Sequence, residues 1–176
     1  KYFGPQHWWP AETPFEVIIG AVLTQNTAWT NVEKAIHQLR LAGLLSPEAL
    51  RDLPEEKLVK LIHSSGFFNL KARRLKVVTD FIFKEYGGSL EHMFSEPGLH
   101  LRKKLLSLKG LGPETVDSIL LYAGGMPFFV IDAYTRRIFS RHQWFDPKTR
   151  YETLQHYFMS QQPLHTKIFN EYHALI

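Results

Sequence analysis

Apolar residues in this chain recur three and four positions apart almost from end to end, the spacing that gathers them on one face of an α-helix. The stretch nearest to a strand, Phe128–Ile131, is too short to build a sheet, so the fold class expected is all-α. Thr13-Pro14-Phe15-Glu16 reads as a helix start: a capping hydroxyl, a proline where its missing N–H costs nothing, and a carboxylate able to close a capping box. The run from there to Leu23 is apolar nearly all round, which suits a buried central helix. A second helix, from about Ala28 to Leu41, turns Val32, Ala35, Ile36 and Leu39 to one side and stops at Gly43. Ser46-Pro47 and Pro54-Glu55 open two shorter ones. Lys71–Glu85 is expected to be amphipathic, with Leu75, Val78, Phe81 and Ile82 inward and Lys71, Arg73, Arg74 and Lys76 outward. Leu101–Leu108 and Glu114–Ala123 flank a tight turn, and Asp132–His142, Lys148–Ser160 and Leu164–Ile176 complete the set.

The 176 residues suffice for one compact domain or two small lobes. The absence of cysteine excludes disulfides, thiolate catalysis and any cysteine-ligated zinc or iron–sulfur site within the chain. The longest apolar run, Val17–Leu23, falls far short of a membrane span, and no export signal is visible. An intracellular location is expected, cytoplasm or nucleoid if the source is bacterial. The net charge of +4 permits an anionic partner without requiring one. Trp8, Trp9, Trp29 and Trp144 exceed what core packing accounts for, since two adjacent tryptophans cannot both face one core.

The most informative stretch is Leu108-Lys109-Gly110-Leu111-Gly112-Pro113-Glu114-Thr115-Val116. Two glycines bracket an aliphatic residue, so the backbone can approach a partner without a Cβ in the way. Leu111 would plug between the flanking helices, and the free amides of the second helix start, with those of the glycines, form a ready phosphate site. Downstream, Asp132 comes after the apolar run Phe128–Ile131 and begins a helix containing Arg136, Arg137 and Arg141. An aspartate there is also an ordinary N-cap, and the two roles are compatible because a cap fixes the carboxylate's position.

Taken together, these segments resemble the helix-hairpin-helix of the endonuclease III superfamily of base-excision glycosylases. Val130-Ile131-Asp132-Ala133-Tyr134-Thr135-Arg136-Arg137, Leu23-Thr24-Gln25-Asn26-Thr27 and Gly66-Phe67-Phe68-Asn69-Leu70-Lys71-Ala72 match family elements in order and spacing. The resemblance implies a two-lobed fold with the active site in the cleft between lobes. One lobe would be a helical barrel over residues 14–124 that includes the hairpin, the other residues 1–13 with 125–176. It further implies a monomer acting on double-stranded DNA that contains a damaged base. Asp132 would be the catalytic carboxylate, stabilising the positive charge that develops on the sugar as the base leaves. DNA contacts would come from Gln25, Phe67, Asn69, Lys109, Gly110, Leu111, Gly112 and Thr115, with Gln25 entering the vacated gap. Phe67 would be the wedge where the nucleotide leaves the stack, although periodicity does not rank it above Phe68. Lys71, Arg73, Arg74, Lys76, Arg102, Lys103 and Lys104 are further candidates for phosphates. A monovalent cation at the hairpin carbonyls is compatible with the pattern; no other metal or cofactor is expected in this chain.

Two features narrow the chemistry. Glu114 stands where members of the family that also cut the strand carry a lysine, and glutamate cannot form a Schiff base; a monofunctional, water-using glycosylase is expected. Trp8-Trp9-Pro10 with Thr24-Gln25-Asn26-Thr27 resembles the 3-methyladenine DNA glycosylase III type. In that type the residues matching Trp8, Trp9, Pro10 and Trp29 line the base pocket, where aromatic faces favour a cationic alkylated purine. The competing expectations are an oxidised-pyrimidine or thymine-mismatch glycosylase, or a helix-hairpin-helix module that binds DNA without catalysis. Relatives often carry four cluster-binding cysteines just past the segment matching His173–Ile176, and the alkylpurine type a pocket lysine further on; neither lies within these residues.

Overall fold

A computed structural model describes residues 4–6 and 8–176 of the chain; residues 1–3 and 7, part of the N-terminal stretch assigned to the second lobe, lie outside the described residues. The described residues form eleven α-helices and no strand. They are α1 (Pro14–Leu23), α2 (Trp29–Leu41), α3 (Pro47–Asp52), α4 (Glu55–Leu61), α5 (Phe68–Tyr86), α6 (Leu90–Phe94), α7 (Gly98–Leu106), α8 (Pro113–Ser118), α9 (Ala133–Arg141), α10 (Tyr151–Ser160) and α11 (Thr166–Leu175).

Helix α1 begins as its sequence dictates. Thr13 Oγ1 accepts from Glu16 N at 3.2 Å, and Glu16 reaches back to Glu12 N at 3.3 Å, one residue beyond the N-cap of a standard capping box. Glu16 is almost wholly buried, and Arg40 of α2 donates to its other oxygen at 2.6 Å. Every residue from Phe15 to Leu23 is buried, and α2, α5, α8 and the turn after α8 pack round them. This central helix organises the larger of two hydrophobic cores, to which α2 adds Val32, Ala35, Ile36 and Leu39 and α5 adds Leu75, Val78 and Ile82. The smaller core collects Leu121, Phe129, Val130, Ile131, Tyr151, Leu154, Phe158 and Phe169.

The cores meet where the chain departs from the single helix expected over Glu114–Ala123. There α8 gives way to a π-helical turn, Ile119–Ala123. A π turn adds a residue per turn and so rotates the side chains beyond it. Leu120 thus enters the first core, Leu121 the second, and Tyr122 faces the cleft between them. Phe128, beyond the expected boundary at residue 124, belongs to the first core.

A polar network also joins the cores. Arg102 of α7 grips Asp117 of α8 with two bonds, Nε to Oδ1 at 2.6 Å and Nη2 to Oδ2 at 2.9 Å. Gln155 of α10 donates to the same carboxylate at 2.7 Å and to Phe129 O at 2.8 Å. Asp117 is fully buried.

Several basic residues expected on the outside or at phosphates are instead engaged by the protein itself. Lys71 is fully buried rather than outward; Lys76 Nζ donates to the carbonyls of Leu50 at 2.7 Å and Arg51 at 2.9 Å; Lys104 pairs with Glu96 at 2.7 Å. Carbonyl groups at the ends of α3 and α1 lack intrahelical donors, and a nearby ammonium satisfies them. Periodicity cannot reveal this, because it sorts residues by side and not by the groups that face them. Helix α6 has no counterpart among the expected elements; Ser89 caps it, accepting from His92 N at 3.1 Å.

Candidate active site

The turn between α7 and α8 has the geometry its glycines suggested. Gly110 has φ +95°, and a Cβ there would lie 2.6 Å from Arg74 Nε. Both handedness and space therefore require glycine. At Gly112 a Cβ would meet nothing within 4 Å, so that backbone is open to a partner. Leu111 is buried between the helices, and Lys109 is exposed.

Gln25, just past α1, is tied to this hairpin. Its Nε2 donates to Thr115 Oγ1 at 2.8 Å and more weakly to Gly110 O at 3.4 Å, while its Oε1 accepts from Arg74. Thr115 is buried, so it acts on the hairpin's underside by holding Gln25.

Phe67 and Phe68 separate clearly. Phe68 stacks on His63 at 4.4 Å between ring centroids. Phe67 is 66% exposed and has φ +46°, a left-handed backbone that a phenylalanine rarely adopts. Strain of this kind persists only where the surroundings impose it. Two residues before Phe67 the turn is anchored by Lys71, whose Nζ donates to Ser65 O at 2.6 Å and to Leu23 O at 2.7 Å. One buried ammonium thus clamps the turn that presents Phe67 to the end of the helix that presents Gln25. Burial, with help from the Arg74 charge, lowers the Lys71 pKa to about 8. Replacing Lys71 with Met keeps the stem but orphans two carbonyls. The expected result is a loss of about 3 kcal/mol in urea unfolding, since each buried unpaired group costs about 1–3 kcal/mol. An unchanged unfolding midpoint would show that the clamp carries no weight. Asn69 is exposed on the first turn of α5.

Asp132 caps α9. Its Oδ1 accepts from Thr135 N at 2.7 Å and Thr135 Oγ1 at 2.8 Å, and Thr135 is buried. That leaves Oδ2 directed elsewhere, 3.7 Å from Nε2 of His173 on α11. Burial alone would push the Asp132 carboxyl up, but the approach of the His173 imidazole and the two hydrogen bonds from Thr135 outweigh it, so its pKa lies below the usual value. Glu114 moves the other way, raised first by desolvation and then by repulsion from Asp132. It is exposed by area, yet its carboxyl senses Asp132, His173 and Arg136. Two carboxyls pushed apart in this manner hold different protonation states over a range of pH.

The aromatics assemble next to this pair. Trp9 stacks in a tilted arrangement on Tyr122 at 4.9 Å and meets Trp29 edge-on at 5.6 Å, while Trp8 stands edge-on to His173 at 6.4 Å. A cleft of about 830 Å³ has Trp8, Trp9, Val17, Tyr122, Lys167 and Glu171 among its walls. Trp29 and Pro10 are not among the residues lining it: Trp29 backs Trp9 and bonds to Glu33 at 3.0 Å, and Pro10 is exposed. Asp132 is linked to this wall through His173 and Tyr122. A Cβ on Gly20 would lie 3.2 Å from Trp9 and 3.6 Å from Trp29, so glycine is what lets the two indoles meet over α1.

Sequence reasoning missed Tyr122 and His173. Tyr122 faces the cleft only because of the π turn, and His173 lies 51 residues further on, in a helix whose apolar pattern gives a histidine no special meaning.

The chain matches the family model described as HhH-GPD superfamily base excision DNA repair protein over residues 19–163. It is 49% identical over 176 residues to MJ1434 of Methanocaldococcus jannaschii, whose name assigns it provisionally to the DNA repair glycosylases; the match covers 99% of this chain and 80% of that one. Endonuclease III of Thermotoga maritima is 31% identical over 140 residues, 80% of this chain and 62% of that one. Among solved structures, H. pylori 3-methyladenine DNA glycosylase (MagIII) bound to 1,N6-ethenoadenine superposes with a TM-score of 0.83 at 27% identity, covering 98% of this chain and 87% of that one. A non-covalent endonuclease III–DNA complex superposes with a TM-score of 0.82 at 21% identity, covering 99% of this chain and 78% of that one, a likeness of fold.

Proposed function

Since the chain belongs to the HhH-GPD superfamily of base excision DNA repair proteins, a family of DNA glycosylases, we propose that it is a monofunctional enzyme that flips an alkylated purine, such as 3-methyladenine, out of double-stranded DNA and hydrolyses its N-glycosidic bond with water. The observation that carries this reading is an ionised Asp132 fixed by Thr135 beside a cleft walled with indole and phenol rings.

Each part has a task. The open backbone at Gly112, the exposed Lys109 and the amides at the start of α8 would hold phosphates on the lesion strand. Phe67, exposed and held rigid by the Lys71 clamp, would fill the stack as the nucleotide leaves, which offsets part of the few kcal/mol that flipping costs. Gln25 would lie beside it, its amide steadied by Thr115 and Arg74. The flipped base would enter the aromatic cleft, where a cationic purine gains cation–π attraction that a neutral base lacks. Such a base is already a good leaving group. The task left to Asp132 is to stabilise the oxocarbenium-like sugar and to orient the water that adds to it. Glu114 offers no amine for covalent attack. A reading as an adenine glycosylase for mismatches needs a carboxylate at the Gly20 position, and Trp9 and Trp29 occupy the space above it.

The test is a panel of duplexes containing 3-methyladenine, ethenoadenine, an oxidised pyrimidine or a G·T mismatch, with base release measured and borohydride added in parallel. Release of the alkylated bases with no trapped covalent adduct is the expected result. A trapped adduct would remove the monofunctional assignment, preferential release of the pyrimidines would move the substrate class, and DNA binding with no release of any base would leave a binding module. Trp9→Ala should weaken discrimination between alkylated and normal adenine by about tenfold while DNA affinity changes far less.

A further inference from the structure

Two residues outside the hairpin and Asp132 motifs form a chain that reaches the proposed catalytic carboxylate. We propose that Tyr122 and His173 form a positioning relay for Asp132, in which the tyrosine hydroxyl fixes the imidazole tautomer and the imidazole directs an N–H at the carboxylate oxygen that Thr135 leaves free. The inference rests on the glycosylase reading above for its kinetic consequence and on geometry alone for its structural one.

The geometry is a chain of three groups from three elements. The Tyr122 hydroxyl, in the π turn, lies 2.6 Å from His173 Nδ1 on α11. His173 Nε2 points at Asp132 Oδ2, the N-cap of α9, across 3.7 Å. That nitrogen is buried and has no hydrogen-bond partner among the described residues. A buried polar atom without a partner is costly and calls for a reason. Its nearest charged neighbour is a carboxylate whose other oxygen is saturated.

Tyrosine and histidine settle each other's protons. Burial, and then the Asp132 and Glu171 charges, raise the Tyr122 pKa far above its ordinary value, so the phenol keeps its proton at any working pH. A neutral imidazole carries one N–H and one lone pair. With the phenol donating to Nδ1, the hydrogen sits on Nε2 and faces the carboxylate. The opposite tautomer would set a nitrogen lone pair against a carboxylate oxygen. The charged groups that bear on this pair are Asp132 at the head of α9, Glu114 from α8 and Glu171 from α11; Arg136 of α9 acts on Glu114 and donates to Thr149 O at 2.7 Å, and Glu171 accepts from Gln6 N at 2.9 Å.

A separation of 3.7 Å is too long for a hydrogen bond. Contacts that serve catalysis are often long in the free protein and close in the bound complex. The relay gives Asp132 a second anchor, so that both carboxylate oxygens have fixed directions when positive charge develops on the sugar. It also binds α11 to the active site, although that helix carries none of the sequence motifs.

Nuclear magnetic resonance on the intact chain tests the relay without relying on turnover. In its neutral form His173 should give the nitrogen signals of a bare Nδ1 and a protonated Nε2. Tyr122→Phe should abolish that preference. His173→Phe should move the Asp132 carboxyl titration upward, toward the ordinary aspartate value. In kinetics, His173→Phe should lower kcat for release of an alkylated base by about 10–100-fold with KM little changed. His173→Gln, which keeps an N–H donor, should recover part of the loss, and the Tyr122→Phe/His173→Phe double variant should be no slower than His173→Phe alone. A proton found on Nδ1, or an Asp132 titration unmoved in both His173 variants, overturns the relay. If the wild-type protein releases no base from any duplex, the glycosylase reading fails, and the resonance results still decide the relay.

Discussion

Asp132→Asn is expected to keep the fold and the affinity for DNA while base release falls by about 10²–10³-fold, the usual loss when one preorganised electrostatic contact to a transition state is removed. The amide can still accept from Thr135 N and Oγ1 through its oxygen, so the cap on α9 survives and the melting temperature should move little. The loss is confined to the charge. Single-turnover base release on an alkylated duplex, measured with a binding assay on the same DNA, separates the two. Equal release by both proteins would remove Asp132 from the chemistry. The pH dependence comes from the same environment. The folded pKa of Asp132 lies below its unfolded value of 3.8, so its ionised contacts contribute stability at neutral pH and lose it as pH falls through the folded value. The acid limb of the wild-type rate should accordingly lie below the ordinary carboxylate range.

Asp117→Ala should produce the largest loss of stability. The carboxylate is fully buried and takes two bonds from Arg102 and one from Gln155. Deleting it leaves a mostly buried guanidinium and an amide without their acceptor. Breaking such a pair from one side costs about 3–5 kcal/mol, a large part of the roughly 5–15 kcal/mol that holds a domain together. The network joins α7 and α8 of the first core to α10 and Phe129 of the second, so the two should lose their coupling together. Urea unfolding should show the midpoint collapse. Removing both charges, as in Asp117→Leu with Arg102→Met, should recover much of the loss, because no unpaired charge then remains. A cost below about 1 kcal/mol for Asp117→Ala would mean that the apolar contacts alone hold the two cores together.

Legibility differs between the fold and the site. Helix starts are plain where a capping residue precedes a proline, at Thr13-Pro14 and Ser46-Pro47, because that local chemistry needs no tertiary help. Asp132 is visible for the same reason: a cap declares itself by position. The ends of the later helices are less clear; α10 starts at Tyr151 rather than Lys148, since the intervening charged residues fit a helix or a loop equally well. Lys71 defies its amphipathic position, which predicts solvent, because the carbonyls of Leu23 and Ser65 lie within its reach. The ranking of Phe67 above Phe68 requires the backbone itself.

The sequence by itself determined the helical class, the hairpin at Gly110-Leu111-Gly112, the carboxylate at the head of α9 and the lack of an amine at Glu114. Each of these is local, decided by a few adjacent residues and the conformations they permit. Only the tertiary structure decided the partners: Gln25 on Thr115, Lys71 between the end of α1 and the turn before α5, Trp9 over Gly20, and His173 beside Asp132. Those pairings depend on where helices cross, and a single π turn was enough to bring Tyr122 to the cleft. Crossing geometry arises from packing over the whole core, which no run of neighbouring residues contains.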